Sequence, residues 1–534
     1  MNKNPIKRIL VADDVNDSGL QPLRDADFAV EKKTGLSPEE LRDQLHNAEG
    51  LIVRSETKVT ADLMDAAKAL RVIGRAGVGV DNIDVPAATA RGIVVMNAPD
   101  GNTITTAEHT IALLVALARR VPQANSSLKS GKWERKNFIG TELQGKTLGI
   151  IGLGRIGRGV ADRAHALGMK IVAHDPFIAP EQTRDLEIES ACLDEVLTRA
   201  DFLTVHTPLT ADTRSLIDAN ALAKMKQGAR IINCARGGLV DEAALFNAIK
   251  SGKIGGAALD VFEQEPPPTD HPLLALDQVI VTPHLGASTT EAQEGVAFTV
   301  AEQMRDFFLT GALRGAVNLP AIDQKQLTTL QPYLALAESL GRFHAQLTNS
   351  AIREVRLVFA GELVDVDAAP VTRAFLSGLL RDVSARVNVV NAFLIAEERG
   401  ISVTTSYVRG PNAASAMRTS VVSAAGEQAA SGSVFTTAEG YREGRITKIN
   451  GFRIEAFPRG FMLVMHNRDV PGVIGRVGTI LGDHGINISA FHLGRHERGG
   501  EAMAVIEVDG PLNDETITEI RSFAPIISAQ QIEL

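Results

Sequence analysis

Cysteine is nearly missing. Cys192 and Cys234 are the only two in 534 residues, and their spacing suggests no disulfide framework, zinc site or redox motif. A reducing compartment suits such a chain, so the expected location is the cytoplasm. Long apolar runs are missing too. The longest helix-like run, Ile111 to Ala118, falls far short of the ~20 residues that a bilayer span needs, so it reads as a buried helix and no membrane partner is expected. Met1 to Leu10 carries basic side chains but no apolar core followed by a small-residue cleavage site, so no secretory leader is read there. Nor is there an excess of cations: 55 Lys and Arg against 64 Asp and Glu leave a net charge of −9. That balance disfavours non-specific nucleic-acid binding and leaves small anions open as ligands.

What is present is ordinary globular composition, 44% hydrophobic and 22% charged. At roughly 150 residues per domain, the length calls for three or four domains. Arg8 to Asp14, Gly50 to Ser55, Arg71 to Arg75 and Gly92 to Asn97 read as strands separated by amphipathic stretches, the pattern of a parallel sheet flanked by helices. Thr105 and Glu108 have capping-box spacing ahead of Ile111, Leu114, Val115 and Ala118, which predicts a helix crossing between domains. A second series starts at Lys146 and continues through Met169 to Asp175, Phe202 to Pro208, Ala229 to Ala235, Ala257 to Phe262 and Val279 to Pro283. Ser288 and Glu291 then predict a helix running to about Leu309 and back to the first unit. The stretch to about Glu455 mixes strands such as Glu354 to Phe359 with Ala/Ser/Gly-rich segments such as Ser423 to Ser433. The tail reads strand (Phe461 to Asn467), helix (Val470 to His484), strand (Ile486 to Leu493), strand (Ala502 to Val508), helix (Asp514 to Phe523), strand (Ile526 to Leu534). This βαββαβ order suits a small sheet covered on one face by helices.

The strongest local signal is Leu148-Gly149-Ile150-Ile151-Gly152-Leu153-Gly154-Arg155-Ile156-Gly157, an apolar strand running into a glycine-spaced turn and then a helix (Arg158 to Leu167). Gly152 permits the turn, Gly154 admits a pyrophosphate to the backbone, and Gly157 allows close packing of helix on strand. Asp175 ends the next strand 18 residues after Gly157, where an acid meets a ribose hydroxyl. An aspartate there repels a 2′-phosphate, and Pro176 and Phe177 bring no cation, so NAD is expected over NADP. Gly77-Val78-Gly79 lacks a third glycine and is not a second such site.

Three later segments place polar residues at strand ends: Asn233 to Gly238, Asp260 to Pro266 and Thr282 to Thr289. Oxidising an alcohol requires a base for its proton, and histidine titrates nearest neutrality. A carboxylate beside the ring fixes its tautomer, and an arginine can clamp a substrate carboxylate. His284, Glu265 and Arg236 can supply these roles, with His109 and His206 as rival histidines. His492 and His496 are four apart, but on a strand that separation is ~13 Å, too far for one ion, so no metal is assigned.

Cys-Ala-Arg-Gly-Gly, Ala-Leu-Asp-Val-Phe-Glu-x-Glu-Pro and Pro-His-Leu-Gly-Ala-Ser-Thr, in this order after Gly-Leu-Gly-Arg-Ile-Gly, resemble the D-isomer-specific 2-hydroxyacid dehydrogenases, in the long form with extra C-terminal domains. The resemblance implies an α/β architecture of two doubly wound parallel-sheet, Rossmann-like domains, an α+β intervening domain and a βαββαβ ACT-type regulatory domain. The boundaries expected are 1–100 with 285–317 for substrate, 101–284 for NAD, 318–455 for the intervening domain and 456–534 for the ACT domain. By the same resemblance Arg236 binds the substrate carboxylate, His284 is the acid/base and Glu265 orients it. NAD contacts are implied at Gly152, Gly154, Arg155, Ile156, Gly157, Asp175, Thr207, Cys234, Ala235, Asp260 and Gly286.

Arg54 and Arg75 each end a predicted strand in the first domain. The resemblance brings both to a substrate phosphate, with Asn102 and the Gly77, Val78 and Gly79 backbone nearby; Val78 replaces a threonine common among relatives. The implied reaction is oxidation of 3-phosphoglycerate to 3-phosphohydroxypyruvate, opening serine biosynthesis, and the competing readings are another D-2-hydroxy acid or an NAD- and amino-acid-sensing regulator. In the tail, Asn467 to Val473 and Gly485 to Ile488 resemble an ACT ligand loop, in which Asp469 and Asn487 bind the ammonium and carboxylate of L-serine. A homodimer or homotetramer is expected, and a cut after Phe457 is expected to leave activity while removing the serine response.

Overall fold

The computed structural model describes residues 7–179, 183, 186–320, 324–384, 386–409 and 416–534, so part of the N-terminal stretch read for a leader lies outside it. The first sheet contains β1 (Arg8–Val11), β2 (Ala29–Lys32), β3 (Gly50–Val53), β4 (Val72–Arg75) and β5 (Val94–Asn97), all parallel, in the order β2-β1-β3-β4-β5. The second contains β6 (Thr147–Ile151), β7 (Lys170–His174), β8 (Glu189–Ser190), β9 (Phe202–Val205), β10 (Ala229–Asn233), β11 (Ile254–Leu259) and β12 (Val279–Val281), in the order β12-β11-β10-β9-β6-β7-β8. Central strands such as Gly-Leu-Ile-Val in β3 and Phe-Leu-Thr-Val in β9 are buried along their whole length because helices cover both faces. The sequence patterns missed β2 and β8. Both are short edge strands with little apolar content, β2 exposing Lys32 and β8 comprising only Glu189 and Ser190.

Two helices join the sheets, and both begin elsewhere than the capping patterns suggest. The Thr103–Arg119 helix starts after Asn102, so Thr105 and Glu108 lie inside it: the Thr105 hydroxyl is 3.3 Å from that of Thr289, and Glu108 pairs with Arg163. The Thr290–Thr310 helix is capped by Thr289, whose side chain accepts the Ala292 N–H, one residue later than Ser288. Its Val296, Ala297, Val300, Ala301 and Met304 pack against Ile9, Val11, Ile52 and Val72, returning the chain to the first sheet.

Beyond it, the Gln324–Leu347 and Ala369–Leu379 helices pack on a six-stranded sheet ordered β14-β13-β15-β16-β17-β18: β13 (Ile352–Ala360), β14 (Ser402–Val408), β15 (Ala416–Ser423), β16 (Gly426–Thr436), β17 (Arg442–Ile449) and β18 (Phe452–Ala456). The Ala/Ser/Gly-rich segment belongs to the β15–β16 hairpin, where small residues fit beneath Leu336. The last sheet, β20-β21-β19-β22, is antiparallel: β19 (Phe461–Arg468), β20 (Ile488–Arg495), β21 (Glu501–Val508) and β22 (Ile526–Glu533). Its first helix spans Val473–Asp483 rather than starting at Val470, because Pro471 is followed by Gly472 at φ +92°, outside helical backbone. Met462, Val464, Met503, Val505 and Ile532 from this sheet share one core with the six-stranded sheet. A cut after Phe457 would therefore uncover that core. Among the described residues, no helix is long and apolar enough to cross a membrane.

Candidate active site

In the second sheet, β6 lies between β7 and β9, so the chain direction switches sides there and opens a crevice at the carboxyl ends of the strands. Gly152 occupies that point with φ +91°, and a Cβ on it would meet the His206 carbonyl oxygen at 2.6 Å. A Cβ on Gly157 would lie 2.2 Å from the Gly152 carbonyl oxygen, so the Arg155–Ala166 helix can approach the strand only through glycine. Gly154 differs: a Cβ there would meet no protein atom. The helix begins at Arg155, three residues earlier than the sequence pattern suggested, so Arg155, Ile156 and Gly157 form its first turn. Asp175 accepts the Leu153 N–H at 2.8 Å and the Phe177 N–H at 2.9 Å, which fixes its carboxylate beside the glycine turn. Arg155 reaches across the crevice to Asp100 at 2.7 Å.

These residues fit a dinucleotide. Open space at Gly154, a helix N-terminus and an adjoining carboxylate are the arrangement that a pyrophosphate and a ribose require. Buried polar atoms normally have partners, yet the Thr207 hydroxyl, the Asn102 Oδ1 and the Arg75 Nε are buried with none.

His284 and Glu265 come together after β12 and β11. Nδ1 of the ring lies 2.7 Å from Oε2, and the Glu265 Oε1 accepts the Phe262 N–H at 3.0 Å. The His284 backbone is left-handed at φ +55°, held by its N–H donating to the Asp260 carbonyl at 2.9 Å. A bulky residue adopts that conformation only where its surroundings impose it, and such positions concentrate at functional sites. The side chain is 46% exposed, so the ring opens to the cleft. Burial works to raise the Glu265 carboxyl, but the hydrogen bond and charge of His284 outweigh it, and the group sits below its ordinary value.

The rival histidines sit in other surroundings: His206 Nε2 lies 3.0 Å from the Thr204 hydroxyl, and its Nδ1 is buried without a partner. Burial pushes His206 down to about 4, and His109 Nε2 lies 3.1 Å from Asp260. Asp260, only 1% exposed, accepts from Thr282 at 2.5 Å, the Leu285 N–H at 2.7 Å and the Gly286 N–H at 2.8 Å. Its side chain thus shapes the loop that carries His284. The buried Cys234 thiol is pushed up to about 12 by desolvation and packs as an apolar group, while the Ala235 N–H is tied to Asn233.

Arg236 approaches from β10. Gly237 lies against the Phe262–Glu263 backbone, where a Cβ would meet the Phe262 oxygen at 1.8 Å, so the arginine loop and the Glu265 loop touch. The Arg236 Nε donates to Asp81 at 3.0 Å and Nη1 to the Ala235 carbonyl at 2.7 Å. Its Nη2 lies 1.8 Å from where a Gly79 Cβ would stand, and Arg75 Nη1 lies 1.6 Å from the same point on Gly77. The Gly77–Gly79 loop is therefore a seat for two guanidinium groups from two sheets, and the Asn97 amide ties it down through the Val78 carbonyl. Burial, reinforced by the neighbouring charge of Arg236, lowers Arg75 to about 10, with Arg54 acting in the same direction. The Arg54 backbone is pinned by Asp13, which accepts its N–H at 2.6 Å, and by Asn82, which donates to its carbonyl at 3.0 Å. Sequence reading gave no role to Asp13, Asp81 and Asn82, and none to Thr282 beyond its place at a strand end. Asp13 and Thr282 each follow closely on an apolar strand, the same signal that exposed Arg54 and His284.

In the last sheet, Asp469 accepts from Arg495 at 2.8 Å and from the Gly499 N–H at 3.3 Å, and the Asn487 amide donates to Asp509 at 2.7 Å. The two flank the Val473–Asp483 helix in sequence, and neither caps it.

Residues 111–286 match the family model of the D-isomer specific 2-hydroxyacid dehydrogenase NAD binding domain, 329–450 that of the D-3-phosphoglycerate dehydrogenase intervening domain, and 461–524 the ACT domain. Over 539 residues the chain is 44% identical to D-3-phosphoglycerate dehydrogenase of Bacillus subtilis, covering 99% of each chain. Among solved structures it is similar to the TT0316 protein from Thermus thermophilus, with 39% identity and a TM-score of 0.55 over 58% of this chain and 99% of that one. It is also similar to a D-lactate dehydrogenase from Aquifex aeolicus complexed with NAD and lactic acid, with 28% identity and a TM-score of 0.52 over 59% of this chain and 100% of the other.

Proposed function

The chain belongs to the D-3-phosphoglycerate dehydrogenases, within the D-isomer-specific 2-hydroxyacid dehydrogenases, and from that membership we propose that it oxidises D-3-phosphoglycerate to 3-phosphohydroxypyruvate, the opening step of L-serine synthesis. The observation that carries the reading is the 2.7 Å His284–Glu265 pair, set beside Arg236 at the ends of adjoining strands. NAD supplies the acceptor for the hydrogen on C2. The turn at Gly152, Gly154 and Gly157 with the Arg155 and Ile156 amides takes the pyrophosphate, Asp175 takes the ribose, and Thr207, Ala235, Cys234 and the Asp260–Gly286 loop line the remainder.

His284 takes the C2 hydroxyl proton at Nε2, because Nδ1 faces Glu265, whose charge stabilises the resulting imidazolium. Arg236 presents Nη2 to the substrate carboxylate. Arg54 and Arg75 take the phosphate with the Gly77, Val78 and Gly79 backbone and Asn102. NADH formation from D-3-phosphoglycerate tests the reading. The kcat/KM for the phosphorylated acid should exceed that for unphosphorylated D-2-hydroxy acids, and Arg54→Ala should raise KM for the phosphorylated acid alone. An equal effect on plain acids rejects the phosphate clamp, and ligand-induced stabilisation without turnover would favour a sensor.

We also propose a cytoplasmic homodimer or homotetramer regulated by L-serine. Val121, Leu128, Trp133 and Ile139 are 51–81% exposed on one stretch, an apolar surface suited to a second copy. Serine would engage Asp469 and Asn487, its ammonium competing with Arg495.

A further inference from the structure

A cavity of about 300 Å³ lies between the first sheet and the intervening domain, lined by Lys68, Arg71, Arg91, Phe307, Arg386 and Asn388 among others. It opens at the amino ends of β4 and β5, whereas the cleft uses the carboxyl end of β4. Arg71 and Arg75 thus mark opposite ends of one strand, roughly 13 Å apart at the rise of an extended chain. The two bodies are joined tightly here. The Asn388 amide donates to the Gly92 carbonyl at 2.7 Å, and Val390, 1% exposed, is part of the first sheet's core.

Four cations line this seam in a chain of net charge −9. Arg91 is neutralised by a two-pronged bond to Asp65 at 2.7 and 2.8 Å. Arg91 and, more weakly, Arg386 hold the Asp65 carboxyl below its usual range, so one carboxylate answers to two guanidinium groups; Asp62 and Asp84 also act on Arg91. Among the described residues, Lys68, Arg71 and Arg386 have no carboxylate within ion-pair distance. Arg71 is held in place nonetheless, with its guanidinium 5.3 Å from the Phe307 ring centre and 5.6 Å from that of Phe308. Lys68, Arg71 and Arg386 are exposed, so solvent screens their mutual repulsion, and their charges are left open to an incoming anion.

We propose that this seam is a binding site for a small, multiply charged phosphate anion, held by Lys68 and Arg71 from the first domain and Arg386 from the intervening domain. Such a ligand bridges the two bodies and stabilises the folded chain by mass action. The site stands apart from the reaction chemistry, so its fate does not depend on the identity of the substrate.

The test is calorimetric titration of the full-length protein with inorganic pyrophosphate in 150 mM NaCl. The wild type is expected to show seam binding in addition to any in the cleft. Lys68→Ala with Arg386→Ala should weaken the seam class at least tenfold, with the thermal midpoint of the free protein unchanged. Arg54→Ala with Arg75→Ala should keep the seam class, and Lys68→Arg with Arg386→Lys should bind as wild type. An unchanged isotherm for the double alanine variant overturns the proposal, as does loss of all binding in the cleft variant or loss in the charge-conserving pair.

Discussion

Asp81 lends itself to a two-sided test, because its single contact with Arg236 both orients and competes. Its carboxylate holds Nε and turns the free Nη2 toward the Gly79 loop, while its charge opposes an incoming substrate anion. Asp81→Asn keeps an acceptor oxygen and removes the charge, so KM should fall; Asp81→Ala removes the tether, so KM should rise. Both changes should stay within about fivefold, since Asp81 is 64% exposed and surface ion pairs contribute up to ~1 kcal/mol. Steady-state kinetics decide it, and movement in the same direction refutes the dual role. His284→Ala should lower kcat by about 10²–10⁴-fold with NAD affinity retained, as read by fluorescence titration. The candidate acid/base was legible in the sequence because it follows a strand end, a pattern that survives any detail of packing. Asp81 was not, since only folding brings it from a loop of the first domain to an arginine 155 positions away.

At the scale of elements, the strands and most helices were readable because apolar period and glycine punctuation are local. Helix starts were less so: Thr105 and Ser288 have the right spacing, but tertiary contacts moved the starts to Thr103 and Thr290. The intervening domain shows what periodicity misses. His344, on the Gln324–Leu347 helix, is buried against Thr419 of β15, with Nε2 2.9 Å from the hydroxyl and Phe375 5.7 Å away. Desolvation lowers His344 and His206 to about 4. A histidine kept neutral in this way contributes its stability fully above the unfolded value of about 6.5 and loses it as pH falls toward 4. Each should cost on the order of 3 kcal/mol across that window. Urea unfolding at pH 7 and pH 4 should show a smaller acid loss for His344→Gln than for the wild type; an equal loss excludes this origin.

For the molecule as a whole, the shared core of the last two sheets predicts that a chain ending at Phe457 melts at lower temperature than the full chain and binds hydrophobic dyes, because Ile446, Ile449 and Ile454 lose their cover. A differential scan with unchanged melting would contradict that packing. Domain order was legible from alternating strands and glycine turns, whereas the merging of two sheets into one core depends on which faces meet.

The first sheet is completed late. Its interior draws on strands from the first hundred residues, on the Thr290–Thr310 helix and on Val390, while the strands of the second sheet all lie between Thr147 and Val281. During synthesis, then, the nucleotide-binding half can close while the earlier-made half still waits on the ribosome for its missing wall. Nascent chains arrested at about residue 320, with the Thr290–Thr310 helix still inside the exit tunnel, should resist protease across the later half and remain open to it in the segment translated first.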